Sequence, residues 1–197
     1  MASTVQICNQ ALVKIGAERI TDLLDDTPSA RVLNAIFEIK RDAELAAHPW
    51  TFAITRAEIP ALSTAPAFGW SYAYPLPSDC LRVVQVGEDW TFYDDGDSGS
   101  LFQVEGASIL TDQVSPIAVR YVYRATNSGL YPAPFVEALA CRLAAEIAEE
   151  RTQNLSKREA AWAEYEKAIR TAKRVNAIEQ PPQEQPLLSW ARTMMGG

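Results

Sequence analysis

The residue types best suited to chemistry in this chain are a single histidine, three cysteines and a tight run of aspartates. His48 stands in the run His48-Pro49-Trp50-Thr51-Phe52. An imidazole can move protons at neutral pH, but this one has no second histidine to work with and sits beside a proline at a helix end. Capping or packing is its expected work, with Trp50 and Phe52 as core anchors where helix passes into strand. Cys8, Cys80 and Cys141 are odd in number and widely separated, with no pair at a CxxC spacing. Structural zinc draws its ligands from close Cys and His pairs, so three buried or half-buried free thiols are expected instead. Asp94, Asp95 and Asp97 lie in Asp-Asp-Gly-Asp-Ser-Gly-Ser. Paired carboxylates can cleave a glycosidic bond, but one of them must be kept protonated in a partly apolar site. At a glycine-bearing tip water keeps all three ionised, which makes this a solvated loop. In an assembly the same tip would contact a partner protein or a neighbouring copy. No residue is assigned a catalytic, cofactor-binding or metal-binding role.

Charge narrows the partners. The chain carries a net charge of −7, and residues 1–131 hold 9 Lys/Arg against 16 Asp/Glu. Phosphate contacts supply most of the affinity of nucleic-acid binders and need a basic face, so a protein that grips DNA is disfavoured. An acidic surface can still line a passage through which DNA slides. No apolar run approaches the roughly 20 residues of a membrane span, and no secretory signal opens the chain, so the protein is expected to stay in the cytoplasm where it is made.

These residues need elements to hold them. A helix is expected from Thr4, as N-cap, to Ile15, with Val5, Cys8, Leu12 and Ile15 at helical spacing and Gly16 to end it. A second starts at Thr27-Pro28 and runs to about Ala47, with Val32, Ile36, Ile39 and Ala43 as its stripe and Leu33, Phe37 and Ala47 beside it. Pro49 closes it. From Trp50 the text turns extended: Phe52 to Leu62 broken by Pro60, then Trp70, Tyr72 and Tyr74 alternating. Cys80 to Val86 and Ile117 to Tyr123 are strand candidates. Trp90–Tyr93 and Leu101–Val104 suggest the arms of a long-tipped hairpin around the aspartates. Helix returns with Pro134 in a first turn, through Leu139, Leu143 and Ile147 to Thr152. A last helix begins at Ser156, which with Glu159 forms a capping-box pattern, and carries Trp162, Tyr165, Ile169 and Ala172 to about Ala177.

The expected fold is therefore mainly α with a β insertion. Residues 1–49 form one helical hairpin, 50–130 a small antiparallel β-module and 131–178 a second helical hairpin. The hairpins pack as a four-helix bundle, because each alone leaves an apolar face uncovered. Residues 179–197 form an extended C-terminal tail. The alternating charges Glu149, Glu150, Arg151, Lys157, Arg158 and Glu159 make a solvated helix face or, in a ring, a contact between copies. In the tail, Leu187, Leu188, Trp190, Met194 and Met195 follow a Pro/Gln linker. Such residues fold back on their own domain or dock in a partner's groove, and tryptophan favours the partner.

With the parts in this order, the chain resembles the podophage tail tubular protein A family, the head-to-tail adaptor or gatekeeper proteins. The resemblance is carried by ICNQALVKIGAERITDL at 7–23, HPWTFAITRAEI at 48–59, YPLPSDCLRVVQV at 74–86, IAVRYVYR at 117–124 and PAPFVEALACRLAAEIA at 132–148, and covers roughly residues 4–178. It implies a virion protein without chemistry of its own, one of twelve copies in a ring under the portal, with DNA passing through the hole. The helices would face the portal and the β-module the tail tube or nozzle, a ring like tail tubular protein B. A C-terminal extension would reach along the portal, making Leu187, Leu188, Trp190 and Met194 the portal-binding residues. The competing class is an enzyme, with tail-associated peptidoglycan hydrolysis as its most sensible form. Its mark would be a glutamate in an apolar cleft facing a second carboxylate.

Overall fold

A computed structural model describes residues 2–87 and 102–179. Two helices, α1 (Thr4–Ile15) and α2 (Pro28–Ala47), come first. Six strands follow: β1 (Ile54–Ile59), β2 (Tyr72–Pro75), β3 (Cys80–Val86), β4 (Gln103–Glu105), β5 (Ser108–Thr111) and β6 (Ile117–Tyr123). Two further helices, α3 (Ala133–Thr152) and α4 (Leu155–Ile178), end the described chain. The chain is thus mainly α with an antiparallel β insertion, as its sequence implies. Among the described residues, no helix is long and apolar enough to cross a membrane.

Helix ends follow local chemistry. Ser3, one residue before the expected cap, closes a capping box with Gln6 on α1, and Gly16 ends the helix at φ 73°, where a side chain would be strained. Thr27 caps α2 through the amide of Ala30, with Pro28 in the first turn. The start of α4 corrects the expected Ser156–Glu159 box: Asn154 accepts from the Lys157 amide instead. Gln153 in the left-handed region (φ 50°) turns α3 into α4 within two residues.

The β insertion is built of two sheets. β1, β6 and β3 form the first, and β2, β5 and β4 the second, every pairing antiparallel. Gln103–Glu105 pairs with Ser108–Thr111 around Gly106, a short hairpin that the sequence did not announce. The expected partner arm Trp90–Tyr93, and Asp94, Asp95 and Asp97, lie outside the described residues. Strand β6 is the shared wall of two apolar cores. Its side chains alternate, so Val122 packs with the helices while Ile117, Val119 and Tyr121 pack with Ile59, Tyr74, Val86 and Ile109 between the sheets.

The helices centre on α3, which buries Ala138, Leu139, Cys141, Leu143, Ala145, Ile147 and Ala148 on several faces. Each of the other three packs against it, and α1 and α2 meet α3 far more than they meet each other. The N-terminal pair is consecutive in the chain but is not a tightly packed hairpin, because α3, apolar nearly all round, offers each a better surface. The stripe expected on α2 is also corrected. Ile39 is 66% exposed, while Leu33, Phe37, Arg41, Glu44 and Leu45 are buried. The buried face includes two charged residues, which a reading of apolar spacing alone passes over.

Candidate functional site

The run His48–Phe52 makes the corner between α2 and the first sheet. Trp50 is almost fully buried, donates its indole N–H to the Glu44 carbonyl at 2.8 Å and meets Phe135 edge-on at 5.0 Å. Phe52 and Tyr131 complete the aromatic cluster. Asn176, near the end of α4, fastens this corner. Its Oδ1 accepts from the Thr51 amide at 2.8 Å and hydroxyl at 3.0 Å, and its Nδ2 lies 3.1 Å from His48 Nε2. Glu179 also accepts from the Thr51 hydroxyl, at 2.9 Å. Burial, with Lys173 and Arg82 nearby, holds the His48 pKa below its ordinary value, so a neutral ring accepting from Asn176 fits. His48 thus serves as the C-cap of α2 and a packing partner of Trp50 at 4.8 Å.

A polar seam joins the helices. Glu44, buried on α2, accepts from the Tyr165 hydroxyl at 2.6 Å. Burial first, then that carboxylate, pushes the Tyr165 phenol up to about 12. Arg142 of α3 stacks over Trp162 and Tyr165 at 4.7 and 5.2 Å and pairs with Glu146 at 2.8 Å, which also takes Lys40 at 2.7 Å. Below it, Asp42 joins Arg41 (2.9 Å) to Arg124 (2.8 Å), tying α2 to the chain leaving β6.

Three potential metal donors, Glu137, Cys141 and Glu164, come within 4.8 Å of one another. Lys14 already supplies a cation there: its ammonium is 2.6 Å from Glu137 and 2.5 Å from Glu164, and Gln10 also donates to Glu137. Burial alone lowers a lysine pKa, but these two carboxylate hydrogen bonds outweigh it and raise that of Lys14. A pair of carboxylates bridged by an ammonium is a clamp between α1, α3 and α4.

All three thiols are free. Burial pushes Cys8 up to about 12 and Cys141 to about 11, far from the thiolate form that reacts, and half-buried Cys80 is raised too. Of the charged residues at the α3–α4 turn, Arg158 meets Glu149 at 2.5 Å, and Lys157 donates to the Ile15 carbonyl at 3.3 Å. That face therefore also ties helices within the chain. Leu187, Leu188, Trp190 and Met194 lie outside the described residues.

An open cleft of about 430 Å³ lies on the first sheet and is lined by Arg56, Glu58, Gln85, Gly87, Ala118 and Arg120 among others. Arg56 and Arg120 are direct cross-strand partners. Burial, then Arg56, lowers the Arg120 pKa. The sequence hides this pair, since it exists only in the register of β1 on β6. No protein-family model matches the chain, and no curated protein matches it.

Proposed function

We propose that the chain is a structural head-to-tail adaptor of a short-tailed bacteriophage, a ring subunit of the tail tubular protein A kind that joins the portal to the tail nozzle. In this reading the four helices act as the bundle that faces the portal, and the two sheets face the nozzle ring. Twelve copies surround a passage for DNA, which an acidic chain repels and does not grip. The work is interface area repeated by symmetry.

The observation that carries the proposal is the corner built by His48–Phe52. This stretch belongs to the text that resembles the adaptor family, and it locks α2, α4 and the first sheet together through Trp50, Asn176 and Thr51. A subunit that couples two rings needs such a stiff joint between its two contact ends. The tail adds reach. The chain leaves α4 at Glu179, beside this joint, and residues 180–197 can extend up to about 60 Å. Helix α4 has 24 residues, about 36 Å of length, so the tail can run back past the far end of the helices toward a portal. Leu187, Leu188, Trp190 and Met194 supply the apolar contacts it would make there.

A chain ended at Glu179 tests this. Mixed with the cognate portal ring and passed over a sizing column, the full chain should co-elute with the ring while the shortened chain binds weakly or not at all. Failure of the full chain to co-elute removes the proposal.

A further inference from the structure

Among the described residues, one side of α4 is only partly covered: Trp162 reaches inward to Arg142 and the helical core, while the residues on either side of it along that face are exposed. Leu155, Glu159, Trp162, Glu166, Arg170 and Lys173 recur at spacings of three and four, which places them on one side of the helix. At its N-terminal end this side carries a shallow groove of about 410 Å³, lined by Leu155, Arg158, Glu159, Trp162, Ala163 and Glu166. Leu155 is 62% exposed and Trp162 half-buried, so the groove offers apolar surface to water. Toward its C-terminal end the same side turns basic with Arg170 and Lys173, both exposed.

We propose that this face is the seat of the chain's own C-terminal segment. In the free subunit, residues 180–190 would fold back antiparallel along α4, with Leu187 and Leu188 in the groove at Trp162 and Glu184 beside Arg170 and Lys173.

Length and charge set this register. The segment after Glu179 is Gln-Pro-Pro-Gln-Glu-Gln-Pro-Leu-Leu-Ser-Trp, and a proline-rich chain rises about 3.1 Å per residue. Leu187, eight residues on, therefore reaches about 25 Å. At about 1.5 Å per helical residue, that distance leads back to the level of Trp162. By the same measure Glu184 falls about 16 Å from Glu179, near Arg170. Trp190 falls near Leu155. The acidic residue thus meets the basic stretch and the apolar residues meet the groove, with a single direction and no adjustment of register. The start of the path is already fixed, since Asn176 and Glu179 hold the end of α4 to Thr51. Prolines at 181, 182 and 186 limit the entropy lost on docking, because a proline ring restricts the backbone before docking as well as after it.

The seat hides in the free subunit the same leucines that the adaptor reading gives to the portal, so a portal would have to compete for them. The seat itself needs no portal, and its test uses the free chain, so either idea can fail alone. A nitroxide is placed at Ser189→Cys in the full chain carrying Cys80→Ser, leaving only the buried Cys8 and Cys141 as other thiols. Amide NMR signals are then compared between the oxidised and reduced label. The expected result is loss of most signal intensity over residues 155–166 and little loss on β4 and β5 of the second sheet, which do not pack on α4, unchanged on dilution and relieved by Leu187→Asp with Leu188→Asp. Undiminished signals on α4 would overturn the proposal. So would a loss that fades on dilution, which would place the tail on a second copy, or one that persists in the aspartate variant.

Discussion

Single residues decide the corner between helix and sheet. Trp50 is buried, hydrogen-bonded and set edge-on against Phe135, so Trp50→Ala should lower stability by about 3–5 kcal/mol in urea unfolding. His48 gives a pH dependence. Because its folded pKa lies below the ordinary 6.5, the folded state binds its proton less readily than the unfolded chain. Its contribution is complete above about pH 6.5 and is lost as pH falls from there through the lowered folded value. His48→Gln should flatten that part of the stability profile; an unchanged slope would show that the ring does not titrate in this window. Trp50 and Phe52 were legible as anchors from their place after a helix-ending proline. Asn176 was not. Its partners lie about 125 residues away in the chain, and an asparagine inside an alanine-rich helix looks like any solvated residue.

At the scale of elements, both the successes and the misses of the sequence have physical causes. The bounds of α1, α2, β3 and β6 follow from caps, prolines and alternation, all local signals. The buried face of α2 was misjudged because Arg41 and Glu44 occupy it, and their burial is offset by partners: Asp42 and Glu38 for Arg41, Tyr165 and Arg142 for Glu44. The second sheet was missed in part since Gln103–Glu105 is short, exposed and has no apolar pattern. The clamp between α1, α3 and α4 was equally hidden, since Lys14, Glu137 and Glu164 meet only after folding. Replacing the ammonium leaves two carboxylates facing each other. Lys14→Met should therefore cost about 1–3 kcal/mol, and adding Glu137→Gln should recover part of that loss. A double-mutant cycle by thermal or urea unfolding reads the coupling; strictly additive effects would mean that the clamp contributes nothing.

For the whole molecule, β6 makes two cores answer to one strand: Val122 belongs to the helical core and Tyr121 to the core between the sheets. The two cores are thereby joined through one strand and not through a linker. The three- and four-residue periods and the alternating strands made this mainly α plan with a β insertion legible. The packing around α3 was not, because an alanine-rich helix buried on several faces shows no single stripe. The central claim is that the chain adds to a portal as a ring. Mass photometry of the purified protein, alone and mixed with its cognate portal, tests that claim most directly. The account expects a small species alone and, on mixing, a mass step of one chain per portal subunit. A portal whose mass stays unchanged at every mixing ratio would contradict it.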